Sequence, residues 1–478
     1  MPLILPGNVA SATASTTYSI ANSCRWNFGD SPAMNKSQTA GNKKTWTYSW
    51  WCKRSVVGGG AENDWFKVYA SGSKLLHIRF NTNNTLYVEG ETPNSYRLTT
   101  NRVFRDNASW YHFALIMDTT QSTAANRMKL FVNGKNELTD GLGFASVTYP
   151  TEDGDTAMND SGATFYLGTT QSSTEEFDGY MADVVLLDGT AAAIGDLGEY
   201  DEDSPTIWKP KDPSGLSFGN NGFWLDFEDS SNLGNDKNGG TDFSESNLDA
   251  TDQAVDTPTN NFCTWNPMWV FRSPISTYGG DFDHGNVGWG RNDDSGTVGT
   301  MGFVTGKWYM EFKPTVYNNY TSYYLGIWNQ DYSDDYNSFG NAKSGFCLKQ
   351  SNNHLFTPTL IDVAHVIDDT TTTGYSTDTI EANAIVGMAI NLDDGEATFY
   401  KDGSAIGSAI GSIPTGRLYT PGIQIAGSAG NVECSFGGCP SFSISSAQTD
   451  GNGYGIFEHA PPSGFFAICS KNYESQGG

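Results

Sequence analysis

From Thr45 the chain reads TWTYSWWCKRS, aromatic and polar residues alternating at the period of two that half-buries a strand in a sandwich. The segments LLHIRF, NTLYVEG, WYHFALIMD and RMKLFVNGK follow, each short and bounded by Asn, Gly, Ser or Thr, and ATFYLGTT and FDGYMADVVLLDG complete a first strand-rich region near residue 190. Asn133-Gly134 predicts a hairpin, because a type I′ turn needs two residues that tolerate positive φ. A second such region runs from about Trp265 to Phe442, with GKWYMEFKP, SYYLGIWN, SGFCLKQ, AIVGMAINLDDGEATFYKDG, LYTPGIQIAG and NVECSFGG; its hairpin turns are Asp393-Asp394-Gly395 and Lys401-Asp402-Gly403. The expected fold class is all-β, two antiparallel sandwiches in tandem. The expected boundaries are a docking arm at 1–19, a sandwich at 20–194, a loop-rich connector at 195–264, a sandwich at 265–442 and an irregular tail at 443–478. The connector is charged, is broken by one apolar strand, GFWLDF, and is expected to lie against the first sandwich.

A length of 478 residues suits two or three domains, and 54 glycines with 13% aromatics agree with many short strands and turns. Against 54 acidic residues stand 27 basic ones, a formal net charge of -27. That field repels nucleic acid and anionic membranes at long range, so no nucleic-acid partner is expected. No stretch approaches the roughly 20 apolar residues that span a bilayer, which argues against membrane insertion. The opening MPLILPGNVASATAST lacks a cationic segment followed by an apolar one, so folding in a cytoplasm is expected. Seven scattered cysteines do not make a disulfide scaffold and are read as buried thiols; around the close pair Cys434 and Cys439, only Cys469 and His459 could complete a zinc site.

The first region resembles the concanavalin A-like lectin/laminin-G superfamily. TWTYSWWCKRS, SWYHFALIMDTTQSTAANRMKLFVNGK and FYLGTTQSSTEEFDGYMADVVLLDG carry the resemblance, in the family's order, over residues 20–190. The second resembles SPRY (B30.2) domains through GKWYMEF, YYLGIWN and VGMAINLDDGEATFYKDG, with Asp402-Gly403 where that family has Asn-Gly. Two concanavalin A-like jelly rolls are implied, the second recognising partners through loops at one end. With its MPLILPGN opening, DTPTNNFCTWNPM junction and PPSGFFAIC ending, the tandem resembles virion proteins of tailed, particularly marine, bacteriophages. That resemblance implies a virion-surface protein, tail-fibre or adhesin-like, assembled in the host cytoplasm and presenting lectin-like domains for host attachment to a surface glycan or protein. The arm would dock other virion proteins, and a homo-oligomer would follow the symmetry of the appendage. A capsid or tail decoration protein and a glycan depolymerase are the alternatives.

The chemistry that a depolymerase needs is thin. Retaining glycosidases use two carboxylates about 5–5.5 Å apart, supplied in sandwich glucanases by a strand with three alternating acids. Glu176-Phe177-Asp178 comes closest but lacks the third acid, and Glu199, Asp201 and Asp203 alternate in a loop. There is no Gly-x-Ser-x-Gly elbow, His-Glu-x-x-His or phosphate loop, so no catalytic residue is assigned, no enzyme activity is expected and no cofactor is required. His112, inside an apolar strand, reads as a satisfied core residue. Calcium is the candidate metal. The densest oxygen cluster, Asp226, Glu228, Asp229, Asn232, Asn235 and Asp236, offers Asp226, Asp229, Asn232 and Asp236 as its ligands. For a glycan, the need is exposed aromatic rings beside amides and carboxylates. Tyr324, Ile327 and Trp328 read as core; Tyr320, Asn329, Asp331, Tyr332, Asp335 and Tyr336 are the candidate binding residues.

Overall fold

The computed structural model describes residues 18–57, 63–70, 74–170, 176–272, 281–291, 295–317, 321–331, 345–351, 359–360, 362–367, 370–376, 380–427 and 429–476. The protein is nearly all β, 46% strand and 6% helix, in several antiparallel sheets. It divides into two compact units, one spanning Ala10–Thr259 and the other Asn260–Gly478. Residues 260–264, grouped with the connector on sequence grounds, thus sit in the second unit. The predicted hairpins are present: Asn133 and Gly134 have φ of 46° and 77°, Asp402 and Gly403 of 46° and 80°, and each pair links adjacent strands by a two-residue loop.

The first unit consists of two eight-stranded sheets. At the centre of one, Thr45–Arg54 lies between Tyr111–Asp118 and Gly179–Asp188. Alternation sends Trp46, Tyr48, Trp50 and Cys52 into the core, where Tyr48 stacks on Phe66 of the second sheet with ring centroids 4.1 Å apart. Thr47, Ser49, Trp51 and Lys53 then face the other way. That outer face is covered. Ala114, Val185, Leu187 and Trp224 on the sheet pack against Ala192, Leu197 and Phe218 from the chain that follows Asp188.

The segment after residue 195 is therefore built into the unit. Phe223–Leu225 pairs with Gly179–Asp188, Ser244–Ser246 with Ala33–Ser37, and Gln253–Ala254 with Ser23–Trp26. Its charges are spent in ion pairs within the unit: Lys209 to Asp201 at 3.2 Å, Lys36 to Asp236 at 3.1 Å and Lys53 to Asp256 at 2.7 Å. Of the expected docking arm, residues 1–17 lie outside the described residues, while the Tyr18 hydroxyl donates to Asp183 at 2.9 Å.

The second unit has one seven-stranded and one eight-stranded sheet around Trp265, Trp289 and Trp308, all fully buried. Its C-terminal segment is tied down by two carboxylates. Glu311 accepts the backbone N–H of Glu458 and of His459, both at 2.9 Å, and Asp450 accepts from Ala467 N at 2.9 Å and Asn472 Nδ2 at 2.7 Å. Phe466–Ala467 adds a parallel pairing to Lys307–Tyr317, and Ser470–Gln476 is a short helix.

Two buried groups under the cover of the first unit titrate in opposite senses. Burial pushes Asp183 up to about 7, against the donation it receives from Trp224 Nε1 at 2.8 Å and Tyr18, and burial pushes His112 down to about 3. A carboxyl raised in the folded state holds its proton longer than in the unfolded chain, so its stabilisation is full below about 4 and is lost as pH rises towards 7. An imidazole lowered in the folded state stabilises above about 6.5 and loses that as pH falls. Each slope is about 1.4 kcal/mol per pH unit, so between pH 4 and 6.5 they oppose each other. Asp183→Asn keeps an acceptor at this position and removes one slope. Its unfolding free energy should fall by about 2–3 kcal/mol from pH 6.5 to 4.5, where the wild type changes far less. Parallel pH profiles of the two proteins in urea titrations would reject this account.

Candidate functional site

What separates the two sheets of the first unit is their outer faces. In the second sheet the strands run, in spatial order, Phe144–Thr148, Tyr96–Val103, Thr85–Gly90, Lys74–Phe80, Asn63–Ala70, Thr164–Leu167, Ala33–Ser37 and Ser244–Ser246. Phe66, Val68, Leu76, Ile78, Leu86, Val88, Leu98 and Phe165 fill the core. The alternate positions point outward, and among the described elements none packs over them as the chain after residue 190 packs over the first sheet.

Strand register sets these outward positions in rows. One row crosses the whole sheet: Ser244, Asn35, Tyr166, Lys67, His77, Glu89, Arg97 and Thr148, each paired with the next. At about 4.8 Å per strand it extends roughly 30 Å, the length of several sugar rings. Beside it lie Arg79, Tyr87, Thr99 and Ser146, and on the other flank Thr164 and Tyr69. Tyr69, Tyr87 and Tyr166 are half-buried, each with part of a ring exposed. Arg97 donates to Glu89, and the Arg79 guanidinium stands 4.8 Å from the Tyr87 ring centre. Burial, ahead of the Glu89 hydrogen bond, pushes the Tyr87 hydroxyl up to about 12, so it stays a donor at neutral pH. Tyrosine rings flanked by amide, imidazole, ammonium and guanidinium groups provide stacking surface and hydrogen-bond donors together.

The residues singled out in the sequence fall elsewhere. Tyr320, Tyr332, Asp335 and Tyr336 lie outside the described residues. Asn329 ends the Ser322–Asn329 strand, 3% exposed, its Oδ1 accepting from Asp331 N at 3.0 Å; Asp331 is exposed and accepts from Leu418 N at 3.3 Å. Tyr324, Ile327 and Trp328 are buried. Of the proposed calcium ligands, Asp226 pairs with Lys237 at 2.8 Å, and Asp236 accepts from Lys36 and from Trp224 N. Asp229 caps Ser231, and Asn232 donates to Asp242 at 2.9 Å. Among the described residues no group of three or more His, Cys, Asp or Glu is placed to hold a metal ion. All seven cysteines are buried and unbridged, and burial pushes Cys52 and Cys469 up to about 12.

A serine and a histidine do meet. Ser49 Oγ lies 2.9 Å from His112 Nε2, but Trp208 Nε1 donates to His112 Nδ1 at 3.0 Å. A neutral ring that accepts at Nδ1 carries its proton on Nε2 and donates to Ser49, the reverse of what activating the hydroxyl requires. The acids are similarly engaged: Glu176 is buried, Asp201 pairs with Lys209 and Glu199 with Lys211 at 3.3 Å.

Residues 28–193 match the family model of the concanavalin A-like lectin/glucanases superfamily. The first unit has that fold. Solved structures that resemble the chain include a heptameric pentraxin of Limulus polyphemus, 13% identical over 38% of this chain and 83% of its own, with a TM-score of 0.28. A putative carbohydrate-binding protein of Bacteroides ovatus is 17% identical over 48% of this chain and 60% of its own, TM-score 0.34. The SPRY domain of human HERC1 is 10% identical over 37% of this chain and 99% of its own, TM-score 0.26. No curated protein matches the sequence.

Because lysines and backbone amides already occupy Asp226 and Asp236, adding about 1 mM calcium should leave the melting temperature within about 1 °C of that in chelator, since a site well above its Kd would add a few kcal/mol. A rise of about 5 °C would instead show a filled calcium site.

Proposed function

We propose that this chain is a virion-surface recognition protein of a tailed bacteriophage, tail-fibre or adhesin-like, whose first sandwich binds a glycan on the host surface. One observation carries the binding part of this reading: no described element packs over the outer face of the second sheet, which bears the half-buried Asn35, Tyr166 and Tyr87 beside Lys67 and His77, while that of the first is sealed. A sheet that presents rings and donors in register can follow an extended polymer laid across its strands, since the row of paired residues runs in that direction. The superfamily match over residues 28–193 supports a lectin-like role, recognition of carbohydrate or protein. The virion setting rests on the resemblance of the opening, junction and ending segments to phage structural proteins. The second unit would add contacts to the host or to other virion proteins.

Glycan arrays built from bacterial envelope polysaccharides test the binding. The wild type should bind, and Tyr166→Ala, which removes an outward ring without touching the core, should weaken binding about tenfold with an unchanged melting temperature, the effect of one lost stacking contact. Undiminished binding by Tyr166→Ala would move the site off this face. Gold-labelled antibody on intact particles tests the location: label on tail or capsid is expected, and unlabelled particles would end the virion assignment.

A further inference from the structure

We propose that this face of the second sheet selects an acidic sugar, with Lys67 as the anchor for its carboxylate; this deepens the glycan reading above and depends on it. Lys67 is 8% exposed. The other buried lysines, Lys53 and Lys209, each hold a carboxylate, at 2.7 and 3.2 Å. Buried arginines are likewise engaged: Arg25 pairs with Asp252 at 3.3 Å, and Arg54 donates to Asn84 and to the Phe104 carbonyl. Lys67 alone among the described buried cations has no hydrogen-bond or ion-pair partner. The stem of Lys67 is covered while its ammonium is not among the buried atoms, so the charge is held in place and open to an incoming anion.

The neighbours define which anion fits. Tyr166 and His77 flank Lys67 in register on the adjacent strands, and Tyr69 stands two residues along its own strand. The nearest acid in the row, Glu89, is engaged by Arg97, which leaves Lys67 without competition for an incoming carboxylate. An ammonium beside a tyrosine can take a carboxylate while the sugar ring lies on the tyrosine face and its hydroxyls reach Asn35. Dense polyanions are disfavoured, because a net charge of -27 opposes them as a whole. A lone carboxylate is decided locally, since charges more than about 8–10 Å away are screened by salt. The ligand class is therefore a glycan with isolated carboxylates, one acidic sugar among neutral ones.

The experiment measures binding of the full chain to hyaluronan and gellan, in which one acidic sugar stands among neutral ones, each beside its carboxyl-reduced neutral form, with dextran sulfate as a dense polyanion. At least one acidic polysaccharide should bind about tenfold more tightly than its neutral form. Lys67→Met should erase that preference, and Lys67→Arg should keep it. Because the lysine is unpaired in the free protein, Lys67→Met should melt at or above the wild-type temperature, which separates lost binding from lost folding. Equal binding of acidic and neutral forms, or a preference that survives Lys67→Met, overturns the inference and leaves the glycan reading standing. Tightest binding to dextran sulfate overturns it in favour of a polyanion surface. Binding to no polysaccharide in either form, here and on the envelope arrays, removes both.

Discussion

A β-strand has two sides, and the core can take only one of them. In the first unit every strand gives one phase of its alternation to the interior, and the fate of the other phase decides what each sheet can do. Over one sheet the chain after residue 190 returns and lays Ala192, Leu197 and Phe218 on it, turning Ser49, Lys53, His112 and Asp183 into interior groups. Over the other sheet no described element returns. The same alternation therefore produces a sealed polar layer on one side of the sandwich and a ligand-sized row of side chains on the other.

The sealed layer shows what burial demands of polar groups. Lys53 and Asp256 meet at 2.7 Å, and Trp110 Nε1 adds a donor to Asp256 at 3.0 Å, so neither charge is stranded. Asp183 takes a left-handed backbone, φ 41°, at the bulge between Ala182 and Val185, which turns its carboxyl towards Tyr18 and Trp224. Burial outweighs those donors and favours the neutral acid, just as it favours neutral His112. These are consequences of the cover. They perturb titration strongly without forming a reactive centre, and the Trp208 donation that fixes the His112 tautomer makes this plain. A perturbed group beside a serine acquires catalytic meaning only when proton donor and acceptor point the right way.

Much of the fold was legible. Period-two segments, Asn133-Gly134 and Asp402-Gly403 marked strands and hairpins because their signals are local. The segment from 195 to 259 was harder, since its strands are three residues long or shorter and its charges looked solvated; only tertiary pairing shows Lys36, Lys53 and Lys209 answering Asp236, Asp256 and Asp201. The oxygen-rich cluster misled for the same reason, its acids being claimed by lysines distant in sequence or by nearby backbone. The uncovered face was present in the text as the polar members of KVYA, LLHIRF, TLYVEG and YRLTT. Without the register, those residues read as the solvent phase of framework strands. Nothing local says which sheet will be covered, so the distinction between Ser49 and Lys67 could not be drawn before the register was known.

The second unit obeys the same constraint with a different result. Its Glu311, raised to about 7 by burial, receives two backbone amides from the C-terminal segment, so one sheet again has its outer side bound to returning chain. On its other sheet the phase opposite Leu325 and Ile327 carries Tyr324 and Trp328, clustered with Val298 and Cys347. That cluster is apolar, with Gln424 and Thr420 paired beside Tyr324 and Trp328 as its polar neighbours. Among the described side chains, an unpaired cation set among tyrosines occurs in the first unit and not in the second, so two sandwiches built on one alternation rule need not share a ligand. The negative charge of the whole chain then acts as a filter on the first: it discourages dense polyanions from the solution around it, while the choice of a single carboxylate is left to the few ångströms about Lys67.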